Sequence, residues 1–370
     1  MKTDLSVDFI GVKLRTPIIQ TSGGPYTKDG KSMVKAALAG AAAVSTKSIF
    51  PKGAKVGRPC MIQVPGGLMN CEEWSDLNYE DWINGEIAEA KKGGVPVIVH
   101  VSEQKDNLDN LGRMALGVVE AGADILEVGT YDPRAVPRMI RAVKRKVGDF
   151  PVSAKVVPPV RDIAEFGRKL EKAGANAISA IDTIGPCYAI SIETGRMIMG
   201  RSSGVGRLSG PAIKPVALYH VATLARAVKI PILGIGGVWT GNDVVEMMMA
   251  GASAVGICTA STVKGLGVFR EMETQITKYM ERKNIGNIRD IRGLALEDLA
   301  RREKTSYEMF EPKLPIIDAE KCTGCMLCVR VCGYDAIKVD NRVPTIEGGK
   351  CYGCGLCTSS CPTAALISPY

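Results

Sequence analysis

Eight cysteines near the end of the chain constrain its fold more than any other feature of the sequence. They form two runs, 322–332 and 351–361, separated by eighteen residues, and each run has the spacing C-x2-C-x2-C-x3-C. Thiolates this close together can converge on one metal cluster, and Gly324, Gly353 and Gly355 allow the tight turns that this requires. The region is therefore expected to be one small unit held together by its cysteine ligands.

The spacing is that of bacterial ferredoxins, in which three cysteines of a run bind one [4Fe–4S] cluster and the fourth binds the other. Disulfides would suit a small secreted domain, and zinc usually takes two C-x2-C pairs with a longer gap, so both alternatives are disfavoured. The predicted ligands are Cys322, Cys325, Cys328 and Cys361 for one cluster, and Cys332, Cys351, Cys354 and Cys357 for the second.

The chain before the cysteines alternates short β-rich runs with amphipathic stretches of helix length. Strands that alternate with helices form βαβ units and a parallel sheet. Eight such units in under 300 residues favour a closed (β/α)8 TIM barrel, with a doubly wound sheet as the alternative. The predicted strands are 17–21, 41–46, 96–101, 124–129, 152–157, 177–181, 231–234 and 254–258.

Three segments are predicted: a barrel (1–285), a linker with a surface helix (286–313) and a two-cluster ferredoxin domain (314–370). The chain starts on polar residues, and no apolar run reaches the ~18 residues of a membrane span, so a cytoplasmic protein without a membrane partner is expected. The net charge of +8 is spread out without interleaved aromatic residues, so no nucleic-acid partner is expected.

Glycine-rich loops follow the seventh and eighth predicted strands and indicate a phosphate site. They contain Gly236-Gly237 and Cys258-Thr259. Barrel enzymes build their sites at the carboxyl ends of the strands and often hold phosphate in these two loops, where glycines let backbone amides approach. Glycines that only turn the chain are the alternative.

Two lysines point to the cofactor that carries this phosphate. Lys47 ends the second predicted strand, and Lys155 lies inside the fifth. A lysine in the interior of a barrel needs an anionic partner, because an unpaired buried charge is costly. A reduced flavin, with negative charge near N1, is one such partner.

These segments resemble the dihydroorotate dehydrogenase-like flavoproteins, and most closely the FMN and iron–sulfur half of dihydropyrimidine dehydrogenases. The sharpest matches are TPIIQTSGGP (16–25), VSAKVVP (152–158), GRLSGPAIKPVAL (206–218) and PILGIGGV (231–238), followed by the doubled cysteine motif. With Thr21 at the mouth of the first strand, the flavin contacts that the resemblance implies are Ser22, Gly23, Lys47, Lys155, Ser209, Gly210, Gly236, Gly237, Cys258 and Thr259.

The sequence departs from the family where substrate is bound. The fourth-strand motif of the family resembles E-L-N-L-S-C-P, but residues 127–133 read EVGTYDP, with Gly129 for the asparagine and Asp132 for the acid/base cysteine. Asp182-Thr183 stands where the family has Asn-Thr. An amide offers a pyrimidine both donor and acceptor, whereas an ionised aspartate only accepts. The flavin pocket is kept while several substrate contacts are changed, so a substrate different from those of the family, dihydroorotate in particular, is expected.

The leading hypothesis is an FMN oxidoreductase that adds or removes two hydrogens at a C–C bond next to a carbonyl of a small unsaturated molecule. Asp132 is the first candidate to move the proton and Cys187 the second; a loop-capping aspartate and an inert packed thiol are the alternatives. Asp182 and Thr183 would orient the substrate.

Electrons would pass between FMN and the two clusters to a redox partner. The chain has no G-x-G-x-x-G nicotinamide motif after a strand, so a ferredoxin or a nicotinamide-binding subunit is expected as that partner. The resemblance suggests a homodimer or a part of a larger complex. An electron-relay subunit without a substrate of its own is the alternative function. A barrel that has lost its flavin is disfavoured because Lys47 and Lys155 remain.

Overall fold

A computed structural model of the chain describes residues 3–103, 107–305 and 311–369, which divide into two units, Met1–Asp298 and Leu299–Tyr370. In the first unit, parallel strands close into an eight-stranded barrel in chain order, with the last strand paired to the first. The TIM-barrel prediction is confirmed, and the doubly wound alternative is wrong. The strands are β1 (Ile18–Gln20), β2 (Val44–Ser45), β3 (Val97–Val101), β4 (Ile125–Val128), β5 (Val152–Val156), β6 (Ala177–Ala180), β7 (Ile232–Ile235) and β8 (Ala254–Ile257).

The barrel strands are buried on both faces, as parallel strands covered by helices have to be. Every residue of β3 and of β5 is buried, including His100 and Lys155. Short apolar runs rich in valine and isoleucine suit this position, since β-branched side chains pack well on a pleated surface. Polar side chains inside such strands therefore stand out as functional or paired groups.

Helices on the outside of the barrel return the chain from one strand to the next. The helix Gly241–Met249 shows how their ends are encoded: Thr240 and Asp243 form a capping box at its start, and Gly251 with φ 104° turns the chain towards β8. The helices of this unit are Gly30–Ala39, Tyr79–Asp81, Ile87–Lys91, Leu108–Glu120, Val136–Val147, Ile163–Lys172, Lys214–Ala227, Gly241–Met249, Thr259–Lys264 and Val268–Lys283.

A four-stranded antiparallel sheet is formed by the segments that follow β2 and β6. Its order is Ile184–Cys187, Gly206–Ser209, Gly67–Asn70 and Met61–Val64. The two segments meet in the middle of the sheet, where Leu208 lies opposite Met69. This sheet is not predicted from the sequence, because its strands are short, contain glycine and proline, and lack a clear polar–apolar alternation. A further hairpin, Val7–Phe9 with Val12–Leu14, precedes the barrel.

The second unit contains two short helices, Leu327–Val331 and Leu356–Ser359, and two small antiparallel pairs, Ile316–Ile317 with Leu366–Ile367 and Ile337–Asp340 with Val343–Ile346. Cys328, Ile337 and Leu366 form its small buried core. The helix Leu294–Thr305 has no buried residue and corresponds to the predicted surface helix. The predicted limits of the three segments remain predictions. Within the described ranges, no helix has the length and hydrophobicity to cross a membrane.

Candidate active site

A cavity opens at the carboxyl ends of the barrel strands, where the loops of the barrel and the antiparallel sheet meet. The residues that line it come from all parts of the first unit, and they include every flavin contact predicted from the sequence. These are Thr21, Ser22, Gly23, Lys47, Lys155, Ser209, Gly210, Gly236, Gly237, Cys258 and Thr259.

The loops after β7 and β8 present backbone amides to this cavity. Gly236 and Gly237 have φ of 117° and 79°, which L-residues with a side chain rarely adopt. A Cβ at Gly237 would lie 2.5 Å from the backbone nitrogen of Lys214. In the described part of the chain, the N–H groups of Gly236, Gly237 and Thr259 make no hydrogen bond to another backbone group. Unpaired donors beside a cavity fit the phosphate of a mononucleotide.

Lys155 lies on β5 and is almost fully buried beneath the cavity. Its Nζ is 3.3 Å from Glu127 Oε2 and 3.9 Å from Asp182 Oδ2, and His100 Nδ1 lies 3.1 Å from the same Glu127 oxygen. Burial alone would raise the pKa of Glu127, but Lys155 and His100 hold that pKa far below its usual value. Burial alone would lower the pKa of Lys155, and Glu127 and Asp182 raise it instead. Both groups are therefore charged at neutral pH.

Lys47 has carboxylate partners as well. Its Nζ is 3.1 Å from Glu72 Oε1 and 3.7 Å from Asp76 Oδ1, and Glu72 Oε2 accepts a hydrogen bond from Gly24 N. The expected anionic partners are therefore present within the protein itself, as carboxylates, and the two lysines do not by themselves require a flavin anion. Sequence reasoning missed Glu72 and Glu127 because nothing in their spacing shows which lysine they reach. The two ammonium groups still line the cavity.

Cys258 begins the loop after β8 and lies behind Gly23, where a Cβ would approach its Sγ to 3.2 Å. Burial, and then the nearby carboxylate of Glu72, raises the pKa of Cys258 to about 12. The side chain is a thiol at neutral pH. It therefore acts as a small wall of the cavity, and a thiolate nucleophile is excluded at this position.

Polar residues on the side of the cavity facing the antiparallel sheet form a second group. Tyr131 lines the cavity and is 62% exposed; partial desolvation at the cavity wall, followed by the charge of Asp182, raises the pKa of its hydroxyl. Arg207 stacks on the Tyr131 ring at 4.6 Å and donates to Thr183 Oγ1 (2.9 Å) and Thr183 O (2.7 Å). Asn70, from the antiparallel sheet, completes the group. Asp182 and Thr183 were predicted from the sequence, whereas Tyr131, Arg207 and Asn70 were not.

The two residues predicted to move a proton are not among those that line the cavity. The carboxylate of Asp132 is half exposed and accepts hydrogen bonds from Arg134 N, Nε and Nη2 at 3.1, 2.9 and 3.1 Å. Cys187 packs against the apolar face of the antiparallel sheet, and its Sγ donates to Ile184 O at 3.5 Å. Tyr131, directly before Asp132 in the chain, occupies the position facing the cavity.

The cysteines of the second unit surround two cavities. The twelve cysteines all lie within the described ranges, and none of them is in a disulfide there. Each cavity receives three cysteines of one run and one of the other, as the spacing predicts, and the residues therefore fit two [4Fe–4S] clusters with a crossed fourth ligand. The first cavity is lined by Cys322, Cys325, Cys328 and Cys361, and the second by Cys332, Cys351, Cys354 and Cys357.

Comparison with known proteins gives the same two parts. Residues 4–280 match the family described as dihydroorotate dehydrogenase, and residues 315–368 match the 4Fe-4S dicluster domain. The chain is similar to proteins named dihydroorotate dehydrogenase B (NAD(+)), catalytic subunit. The protein from Pyrococcus horikoshii is 35% identical over 309 residues, covering 80% of this chain and 99% of that protein. Those from Methanosarcina mazei (35% identical, 78% and 94% covered) and Geobacter sulfurreducens (31%, 80% and 99%) are similar too.

Proposed function

Since the chain belongs to the dihydroorotate dehydrogenase family and is an oxidoreductase of that type, we propose that it adds or removes two hydrogens at a C–C bond next to a carbonyl, using FMN and two [4Fe–4S] clusters. One observation carries this proposal. All eleven residues chosen from the sequence as flavin contacts line a single cavity at the mouth of the barrel. Tyr131 and Asp182 line the same cavity, which places a candidate proton donor and a candidate substrate ligand beside the residues that would hold the flavin.

The residues that would hold FMN fall into two groups. The unpaired amides of Gly236, Gly237 and Thr259 would bind its phosphate, and the ammonium groups of Lys47 and Lys155 would lie near its ring. When bound, FMN supplies hydride transfer to or from one carbon of the substrate. Glu127 balances the charge of Lys155. The lysine would therefore act mainly as a hydrogen-bond donor and would add little net positive charge near the flavin ring.

The proton at the neighbouring carbon is assigned to Tyr131. A tyrosine hydroxyl is protonated at neutral pH, and the raised pKa of Tyr131 keeps it so; it can therefore donate a proton to that carbon when the double bond is reduced. Asp182 and Thr183 would orient the substrate, with Arg207 fixing Thr183 through two hydrogen bonds. Asp132 and Cys187 remain predictions that require the loop after β4, or the antiparallel sheet, to rearrange.

The second unit is proposed to carry electrons between the flavin and a partner. The relatives are named as catalytic subunits of an NAD(+) enzyme, and the match leaves about a fifth of this chain unmatched, the size of the unit Leu299–Tyr370. A ferredoxin or a nicotinamide-binding subunit would exchange electrons with the two clusters. A homodimer or a larger complex is the proposed assembly.

The test is an anaerobic titration of the purified protein followed by its absorption spectrum. Dihydroorotate and 5,6-dihydrouracil serve as reductants, and orotate, uracil and other unsaturated amides as oxidants of the reduced protein. We expect one of these compounds to bleach or reoxidise the flavin, with the cluster absorbance following it. A flavin that responds only to redox proteins would contradict the proposal and support the electron-relay alternative.

A further inference from the structure

We infer that this site takes a substrate whose reacting part is uncharged or cationic, and that Glu72 rejects substrates with a carboxylate there. The inference rests on the proposed function and concerns the selectivity of the same cavity. It starts from the charges around the cavity, where each ammonium group already has carboxylate partners.

The position of these charges follows from the order of the strands. In an eight-stranded barrel, β3 and β4 stand across from β7 and β8, whose loops present the unpaired amides. Tyr131 after β4 and Lys155 on β5 therefore belong to the side away from those amides, and Lys47 at the end of β2 lies between that side and the loop after β8. A phosphate held by Gly236 and Gly237 leaves this other side to the flavin ring and the substrate.

Lys47 is held by a largely buried ion pair with Glu72. Its side chain is 6% exposed and that of Glu72 is 15% exposed, and both carboxylate oxygens of Glu72 are used, one by Lys47 and the other by Gly24 N. Asp76 adds a second carboxylate at 3.7 Å from the same ammonium. A ligand carboxylate would have to displace Glu72 from Lys47 or lie beside it, and like charges this close disfavour binding.

The other cations near the cavity are occupied too. Lys155 lies between Glu127 and Asp182, at 3.3 and 3.9 Å. Arg207 donates to the backbone and side chain of Thr183. Arg201 pairs with Glu73 at 2.8 Å, and Glu73 lines the cavity. Of the residues that line the cavity, all within the described ranges, the two lysines are the cations, and each lies within 4 Å of two carboxylates.

The same wall offers groups that suit a neutral amide or imide. Asn70 Oδ1 accepts a hydrogen bond from Glu72 N at 3.3 Å, so the amide nitrogen of Asn70 is left as a donor for a ligand. The Tyr131 hydroxyl can donate, and the Asp182 carboxylate accepts. A ring that carries N–H and C=O groups but no carboxylate can pair with all three. Three carboxylates line the cavity, those of Glu72, Glu73 and Asp182, against two ammonium groups, so an ammonium substituent is compatible with the site as well.

The experiment compares two ligands that differ by one carboxylate, uracil and orotate, on the FMN-loaded protein. Binding is measured by the change in flavin absorbance. We expect uracil to bind at least about ten-fold more tightly than orotate, because the additional charge meets Glu72. In the Glu72→Gln variant, the preference for uracil over orotate, given by the ratio of the two dissociation constants, should fall about ten-fold. Glu273→Gln, which removes a carboxylate paired with Arg15 on the outside of the barrel, is the matched control and should change neither dissociation constant.

Orotate binding as tight as uracil binding overturns the inference, and so does a uracil-to-orotate ratio that Glu72→Gln leaves unchanged, or binding of neither ligand. The comparison on the unaltered protein decides the matter even if Glu72→Gln loses its flavin. Failure here is distinct from failure of the proposed function. Rapid flavin reduction by dihydroorotate would refute the charge selection and support the function, whereas a flavin inert to every small molecule would refute the function.

Discussion

Replacing Glu127 by glutamine tests whether the buried charges beneath the cavity stabilise the barrel. The change leaves the Lys155 ammonium, 4% exposed, with Asp182 at 3.9 Å as its remaining carboxylate. At 3.3 Å and an effective dielectric constant of about 20, the lost attraction is about 5 kcal/mol. A hydrogen bond from the Lys155 ammonium to the oxygen of the new amide returns about 1.5–3 kcal/mol, since one partner is charged. We therefore expect the free energy of unfolding to fall by about 2–4 kcal/mol, close to the usual cost of breaking a buried ion pair.

The assay is urea unfolding followed by tryptophan fluorescence. All three tryptophans, Trp74, Trp82 and Trp239, lie in the first unit, so the signal reports the barrel alone. The double variant Glu127→Leu/Lys155→Met is the matched control. It removes both charges, so it should be more stable than Glu127→Gln.

The dependence on pH follows from the directions of the two pKa shifts. The pKa of Glu127 is lowered by folding, so its contribution is present above about pH 4.5 and is lost as pH falls through the folded pKa. The pKa of Lys155 is raised, so its contribution is present below about pH 10.5 and is lost as pH rises through the folded pKa. The deficit of Glu127→Gln should therefore be flat between about pH 5 and pH 10. A deficit below about 1 kcal/mol at pH 7, or a double variant less stable than the single one, would refute the reasoning.

Three further predictions concern the phosphate site, the cluster ligands and the proton donor. Gly237→Ala places a Cβ 2.5 Å from Lys214 N at a φ of 79°, so FMN affinity, measured by fluorescence of released flavin, should fall at least about ten-fold; unchanged affinity would remove this loop from the phosphate site. Cys361→Ser should remove the same cluster as Cys328→Ser, seen as identical losses in electron paramagnetic resonance of the reduced protein; different losses would contradict the crossed ligands. Tyr131→Phe should lower turnover about 100-fold while FMN stays bound, and Asp132→Asn should keep most of it; the reverse order would restore Asp132 as the proton donor.

The barrel could be predicted well because each strand can be recognised from its own short stretch of sequence. Short runs of valine, isoleucine and alanine are bounded by prolines and glycines, so the fifth predicted strand, 152–157, differs from β5 by one residue. The same locality explains why the residues predicted as flavin contacts, which lie at strand ends and in glycine loops, line one cavity. It also applies to the cysteine sets, where spacing decides which thiols share a cavity.

The partners of the buried charges could not be predicted in this way. Glu72 reaches Lys47 through a segment that makes antiparallel pairs, and Glu127 and Lys155 meet because neighbouring strands set the register Glu127 to Ser153. Side-chain direction decided the remaining cases. Asp132 follows β4 as expected, but Arg134 provides three donors that hold its carboxylate outside, and Tyr131 faces the cavity instead.

The antiparallel pairing of Gly67–Asn70 with Gly206–Ser209 has a consequence for engineering. The segments that follow β2 and β6 are far apart in sequence, yet one ladder of backbone hydrogen bonds joins them at the mouth of the cavity. A designer who grafts a foreign excursion at either place would strip hydrogen bonds from the other, so the two have to be exchanged as a matched set. For the same reason, they would be inherited in pairs when this scaffold acquires new chemistry.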